Sequence, residues 1–484
     1  MSQDIGPSAA AQTSHEGWRI LTIYPALSRA LVPRLLLAAA SSDAGKTTLT
    51  LGFIAALRRR GLQVTPAKTG PDFIDAANLA HAAGRGARNL DAWLAPEHVV
   101  RDSFVRGSAG ADIAIIEGAM GLFDGRHGSG DGSSAHIARL LAAPVVLVLD
   151  CAKASATIGA IAYGLAHFDR RVRVAGAILN RVASEKHAAT VVDAVRAAGV
   201  AVLGVVRRDE RLTLPSRHLG LIKPGGSAWQ SAVDFGADVF ARDVDLDALI
   251  TIASSAPPHV PGDAPEVALQ AQPFAEAEGR RARIAVARDE AFWFYDEASL
   301  EALTDAGAEL VPYAPLRDPF PSNVGGAVIG GGYPELHAAA LAANTAARGG
   351  LRDAIAAGMP AYAECGGLMY LTDALETPAG SEPMVGAVPA VSTMSEKRSA
   401  LRYVEARTLG AGPLFADGET VRGHEFHYSH TTYRTAAPAF AFDGEREGFR
   451  APNLHASYIH VHLGAHSAAT QRFVAQAAAF GGAR

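Results

Sequence analysis

Leu35-Leu36-Leu37-Ala38-Ala39 leads through Ala40 into Ser41-Ser42-Asp43-Ala44-Gly45-Lys46-Thr47-Thr48, and from there into a helical stretch that runs to Arg60. An apolar strand, a loop of small residues ending in Gly-Lys-Thr-Thr, and a helix together form a P-loop. Backbone N–H groups at the helix N-terminus cradle phosphate, Lys46 reaches the outer phosphates, and a Thr hydroxyl completes the shell of a magnesium ion. The common pattern has a glycine early in the loop. Ala39 or Ala40 holds that place here, so the strand–loop–helix context carries the reading. Ser42, Asp43, Ala44, Gly45, Lys46, Thr47 and Thr48 are the candidate nucleotide contacts.

Outward from this loop, short apolar runs alternate with helical stretches. Strands are expected at 35–39, 63–67, 112–116, 145–149, 174–179 and 201–206, with helices at 47–60, 135–142 and 184–198. That alternation implies an α/β fold with a parallel sheet covered by helices on both faces. Ser255-Ala256-Pro257-Pro258-His259-Val260-Pro261-Gly262 interrupts it, because a Pro- and Gly-rich run continues neither a helix nor a central strand. The alternation restarts at Ile284–Ala287, with further strands expected at 310–313, 327–329 and 361–363. Beyond about residue 384 the pattern shortens into strands and hairpins. The expected organisation is therefore an extension at 1–32, a first domain at 33–255, a linker at 256–281 and a second α/β domain at 282–484.

At 484 residues the chain is long enough for two or three domains. A net charge of −5 leaves no footprint for nucleic acid. The apolar run 140–149 is too short to span a bilayer, and the acidic N-terminal stretch lacks the form of a secretory signal, so a cytoplasmic protein without a membrane partner is expected. The two cysteines, Cys151 and Cys365, are far apart and have no metal-ligand spacing. A homodimer is compatible with the sequence, which does not specify one.

Two acidic segments follow later strands: Lys68-Thr69-Gly70-Pro71-Asp72-Phe73-Ile74-Asp75 and Glu117-Gly118-Ala119-Met120-Gly121-Leu122-Phe123-Asp124-Gly125. Open α/β sheets place ligands at the carboxyl ends of their strands, so Lys46, Lys68, Asp72 and Glu117 should gather on one edge. With the deviant P-loop and Leu214-Pro215-Ser216-Arg217-His218-Leu219-Gly220-Leu221, these segments resemble the synthetase domain of cobyrinate (hydrogenobyrinate) a,c-diamide synthases, a relative of dethiobiotin synthetase. The resemblance implies ATP at the P-loop and Mg²⁺ held by Thr47 and Glu117 with Asp72. It implies an acyl phosphate intermediate, and Asn180 reading adenine. Asp72, Phe73 and Asp75 would then face a corrinoid polycarboxylate. Arg217, with Arg207, Arg208, Arg211 and His218, would grip its carboxylates.

Ala361-Tyr362-Ala363-Glu364-Cys365-Gly366-Gly367-Leu368 is the second decisive stretch. A strand ending at Cys, followed by two glycines and a helix, is a nucleophile elbow, and the helix N-terminus favours the thiolate. A thiol nucleophile needs a base, and Ile459-His460-Val461-His462 supplies the candidates. The layout resembles class I glutamine amidotransferases, which implies His460 as the base. It also implies that the loop Gly330-Gly331-Gly332-Tyr333 forms the oxyanion hole with Gly366, through the N–H group of Gly331 or Gly332 and that of Gly366. His462 stands where that class usually has the orienting Glu. A dyad, or an acid from elsewhere, is therefore expected, with modest glutaminase activity until the other site is loaded. The segments 394–398 and 423–430 also look like family segments, serving glutamine binding, the domain interface or structure alone.

Together the resemblances imply ATP-dependent amidation of the a and c side chains of cobyrinate or hydrogenobyrinate with ammonia from glutamine, in cobalamin biosynthesis. Cobyric acid synthases and nickel-sirohydrochlorin a,c-diamide synthases are the nearest alternatives. A partitioning-type ATPase shares the P-loop domain but leaves Cys365, His460 and the glycine loop unexplained.

Overall fold

The computed structural model describes residues 31–214, 225–258 and 281–482. Strands β1 (Arg34–Ala39), β2 (Val64–Thr69), β3 (Arg88–Leu90), β4 (Ile113–Glu117), β5 (Val145–Asp150), β6 (Val174–Val182) and β7 (Val202–Arg207) form one sheet in the order β3-β2-β4-β1-β5-β6-β7. Every pairing in it is parallel. β1 explains why. Leu35, Leu37 and Ala39 enter one core, Leu36 and Ala38 the other, so both faces are dry and must be covered by helices. Helix α1 (Lys46–Arg59) covers the first face together with Ser227–Asp243, where Phe53 stacks on Phe240 at 5.3 Å. Helix α2 (Phe73–Ala83) follows β2.

Two features depart from the sequence reading. β3 is a three-residue edge strand with no apolar run to announce it. Ser227–Asp243 and Leu246–Ser254 are helices packed on the first domain, where the sequence reading names none. Their apolar positions (Trp229, Ala232, Val233, Gly236, Ala237, Phe240) have helical spacing that a strand-led reading passes over. The ends of this domain meet. Leu31 N–H donates to Pro258 O at 2.7 Å, and the buried Arg34 donates to Leu141 O and Pro257 O.

The second domain repeats the layered plan. β8 (Ala282–Ala287), β10 (Ala308–Tyr313), β11 (Gly326–Ile329) and β13 (Ala361–Glu364) lie parallel in a six-stranded sheet ordered β10-β8-β11-β13, then Leu454–Ser457 and Phe449–Ala451. The short strands β9 (Phe292–Phe294) and β12 (Gly331–Gly332) pair antiparallel above it. Smaller, largely antiparallel sheets fill residues 374–461. The domains dock through paired charges and rings. Arg88 forms a two-pronged pair with Glu301 (one prong 2.8 Å), Arg106 meets Asp305 at 2.6 Å, and the Tyr403 hydroxyl donates to Asp91 Oδ2 at 2.6 Å.

Candidate functional site

The loop between β1 and α1 turns through left-handed backbone at Asp43 (φ 60°) and Gly45 (φ 87°). Met120 (φ 48°) and Arg181 (φ 58°) are similarly strained, and all four residues line one cleft of about 1080 Å³. Left-handed backbone costs a non-glycine residue roughly 1 kcal/mol or more, so its concentration around one cleft marks a place where the chain is bent to a task.

Charges gather there as the strand-end rule requires. Lys46 Nζ donates to the carbonyls of Ser41 (2.9 Å) and Met120 (2.7 Å). Thr47 Oγ1 donates to Glu117 Oε1 at 2.7 Å and lies 3.3 Å from Asp75 Oδ2. Lys68 Nζ bridges the two acids, 2.6 Å from Asp75 Oδ2 and 2.7 Å from Glu117 Oε1. Burial works against the Lys68 ammonium, yet Asp75, Glu117 and Asp72 hold its pKa well above the usual lysine range. Lys46 is pushed below that range, first by burial and then by the charge of Lys68. Glu117 is fully buried, which raises its pKa, and its Oε2 has no hydrogen-bond partner among the described residues. A buried, unmatched carboxylate oxygen beside a Thr hydroxyl fits a hard divalent cation such as Mg²⁺.

The acids make different local contacts. Asp72, expected at the metal, uses Oδ1 to cap α2, accepting from the N–H groups of Ile74 (3.0 Å) and Asp75 (2.9 Å). Asp75, expected to face the corrinoid, lies 3.3 Å from Thr47 Oγ1, further away than Glu117 at 2.7 Å. Phe73, expected at the corrinoid as well, is turned toward the second domain. There it packs on Phe294 (6.0 Å), His424 (5.6 Å) and His460 (5.2 Å). Ser42, Thr48 and Asn180 line the cleft, and Asn180 Nδ2 donates to Ala44 O at 2.9 Å. Arg207 and Arg208 line it too, while Arg207 pairs with Glu185 and Arg211 with Asp209. Arg217 and His218 lie outside the described residues. The sequence reading missed Arg181, which pairs with Asp150 at 2.7 Å.

At the second site β13 ends on Glu364, and Cys365 follows at φ 49° and ψ −106°. This is the sharp, strained turn of a nucleophile elbow, pinned by Cys365 N–H donating to Ser457 O at 2.7 Å. Close approach demands the glycines here. A methyl group at Gly366 would stand 3.0 Å from the Gly332 nitrogen, and one at Gly331 would stand 2.8 Å from His460 Cε1. The Gly331–Gly332 loop thus packs closely on Gly366 and His460.

The orienting acid left open by the sequence is Glu364, the residue immediately before the thiol. His460 Nδ1 lies 3.0 Å from Glu364 Oε2, and Val461 N–H donates to Glu364 Oε1 at 3.0 Å. Of the two expectations, a dyad or an acid from elsewhere, the contacts of Glu364 fit the second and define a Cys365–His460–Glu364 triad. Burial disfavours the imidazolium, but hydrogen bonds to Cys365 and Glu364 and their charges outweigh it, raising the His460 pKa to about 10. His462 lies 3.7 Å from Asp296 Oδ1, away from this chain of bonds. Around the triad stand rings. His424 stacks on His460 at 4.9 Å, and Phe294 meets Tyr333 at 5.1 Å. The Tyr333 hydroxyl has no hydrogen-bond partner among the described residues, and burial raises its pKa.

A phosphate-binding parallel sheet joined to an elbow thiol with its histidine defines a nucleotide-binding glutamine amidotransferase. Residues 35–222 match the family model of the CobQ/CobB/MinD/ParA nucleotide binding domain, and residues 283–468 that of the CobB/CobQ-like glutamine amidotransferase domain. Over 457 residues the chain is 43% identical to the cobyrinate a,c-diamide synthase of Syntrophotalea carbinolica, covering 91% of this chain and 98% of that protein. It is 43% identical over 464 residues to the hydrogenobyrinate a,c-diamide synthase of Thermobifida fusca, covering 92% and 97%. The chain belongs to the cobyrinate/hydrogenobyrinate a,c-diamide synthase family. No helix among the described residues is long and apolar enough to cross a membrane.

Proposed function

We propose that the chain amidates the a- and c-side-chain carboxylates of cobyrinate or hydrogenobyrinate, using ATP and ammonia drawn from glutamine. The observation that carries this reading is the pairing of the Lys46–Thr47–Glu117 cleft with the Cys365–His460–Glu364 triad in one chain.

At the triad the Cys365 sulfur attacks the glutamine amide carbon. The oxyanion that develops is met by the N–H groups of Gly366 and the Gly331–Gly332 loop. His460, held by Glu364, gives its proton to the departing nitrogen, and ammonia leaves behind a thioester that water resolves to glutamate. In the cleft a substrate carboxylate takes the γ-phosphoryl group of ATP. Lys46 balances the phosphate charge, and Asn180, which lines the cleft, reads the nucleotide base. Thr47 and Glu117 would hold Mg²⁺, which when bound neutralises phosphate charge. Ammonia then displaces phosphate from the acyl phosphate, forming the amide. The passage must exclude bulk water, because ammonia that escaped there at neutral pH would be protonated and lost as a nucleophile.

Purified protein with Mg·ATP, glutamine and either corrinoid, read by product mass, tests the proposal. Each carboxylate converted should lower the mass by about one unit, stopping at two amides and requiring both ATP and glutamine. Glutamine hydrolysis without any change in either corrinoid would overturn the substrate assignment and leave the thiol chemistry standing.

A further inference from the structure

Phe73 opens helix α2, and its ring packs on His460 and on His424, which itself stacks on His460. Two residues further along the same helical turn, Asp75 holds Lys68 and lies beside Thr47. The turn joining them is stiff. Asp72 caps it with two backbone bonds, and Asn89 Nδ2 pins the preceding loop by donating to Gly70 O (2.9 Å) and Asp72 O (3.1 Å). Asp75 and Phe73 therefore move together or not at all.

The nucleotide cleft gives this turn a reason to move. Without ligand, Lys68 and Thr47 share Glu117 Oε1, and Lys68 is shared again with Asp75. Phosphate and a divalent cation bring new charges onto Thr47, Lys46 and Glu117, so the division of Lys68 between Glu117 and Asp75 must change. A ligand shifts a conformational equilibrium only through contacts that differ between the two states, and here those contacts end on the turn carrying Phe73.

We propose that Phe73 is a positioning residue through which occupancy of the nucleotide cleft sets the orientation of His460, and hence the rate of glutamine hydrolysis. The proposal rests on the glutamine amidotransferase reading but not on the identity of the corrinoid. Phe73 touches neither the thiol chemistry nor the phosphates. It acts through the imidazole, so its effect belongs in the kcat for glutamine rather than in KM.

The test measures kcat and KM for glutamine hydrolysis by the full-length enzyme, with and without Mg²⁺ and a non-hydrolysable ATP analogue, and with no corrinoid present. In the parent enzyme the nucleotide should change kcat by about fivefold or more, a usual size for coupling between sites. In Phe73→Ala the two values should coincide within about twofold while the analogue still binds. Phe73→Tyr, which keeps the ring, should restore the response. Phe73→Leu fills most of the space without a ring and keeps the test open if the alanine variant does not fold; it should respond less than the parent. Three results would each overturn the proposal: a parent enzyme indifferent to nucleotide, Phe73→Ala responding like the parent, or Phe73→Leu responding in full. Because no corrinoid enters the assay, failure to amidate cobyrinate or hydrogenobyrinate leaves this result readable on its own terms.

Discussion

The cleft around Lys46 encloses about 1080 Å³ and is lined by lysines, arginines and acids, whereas the cavity beside His460 holds about 40 Å³ and is lined by rings and aliphatic side chains as well as acids. In the cleft, protein charges neutralise one another provisionally. Lys68 stands between Glu117 and Asp75, and arriving phosphates and metal must redistribute those contacts. At the thiol the protein's own groups meet one another: His460 Nδ1 lies 3.0 Å from Glu364 Oε2, and the ring of Phe73 reaches His460 from the other domain. The cleft is held by charges that its ligand must redistribute, the thiol site by contacts made within the protein.

The sharpest way to break this comparison is Cys365→Ala. Glutamine hydrolysis should fall by at least about a thousandfold, while amidation with ammonium chloride persists. If both activities fell equally, the sites would not be separable. The mirror experiment is Glu117→Gln. ATP-dependent amidation should drop about a hundredfold or more with either nitrogen source, with basal glutamine hydrolysis retained, as product mass and glutamate release would record. Glu364→Gln asks whether the triad is real. Loss of about a hundredfold in glutaminase kcat with KM for glutamine little changed is expected, since the neutral amide neither fixes the imidazole nor balances its charge.

A smaller effect concerns pH. His460 is raised from an ordinary value near 6.5 to about 10 on folding, so its contribution to stability is fully present below about pH 6.5 and is lost as pH rises through about 10. The difference in melting temperature between the parent and His460→Asn should shrink across that window; a constant difference would reject the charged pair. Least of all, Tyr403→Phe removes the bond to Asp91 across the interface and should cost about 1 kcal/mol in denaturant unfolding, with kcat for glutamine unchanged.

Much of this was legible in the chain because it depends on local order. The P-loop and the elbow are each a strand, a tight turn and a helix in sequence, and the strands flanking them are apolar runs, so motif and fold announce one another. Glu364 was in plain view beside Cys365. Spacing alone gives it no role, because the meeting with His460 depends on β13 pairing with Leu454–Ser457. What Phe73 packs on was hidden for a related reason. Its neighbours Asp72 and Asp75 both line the nucleotide cleft, but the side chain at the first position of a helix points a different way, and only the docking of the second domain decides what it meets. Asp72 also serves as the N-cap of α2, because an acid just before a helix satisfies backbone donors.

Placing the acid and the thiol on consecutive residues also bears on how the site comes together during folding. Three groups scattered along a chain would need two separate long-range encounters. Here a single event, the zipping of Leu454–Ser457 onto β13, delivers the histidine to a pair that the elbow has already assembled. The loop closed by that event spans residues 365 to 457, a long-range contact whose closure entropy must be met before the base reaches the thiol. An unfinished chain emerging from synthesis would therefore carry a thiol with its acid but no base, and would be unable to hydrolyse glutamine before the structure that uses the ammonia is complete.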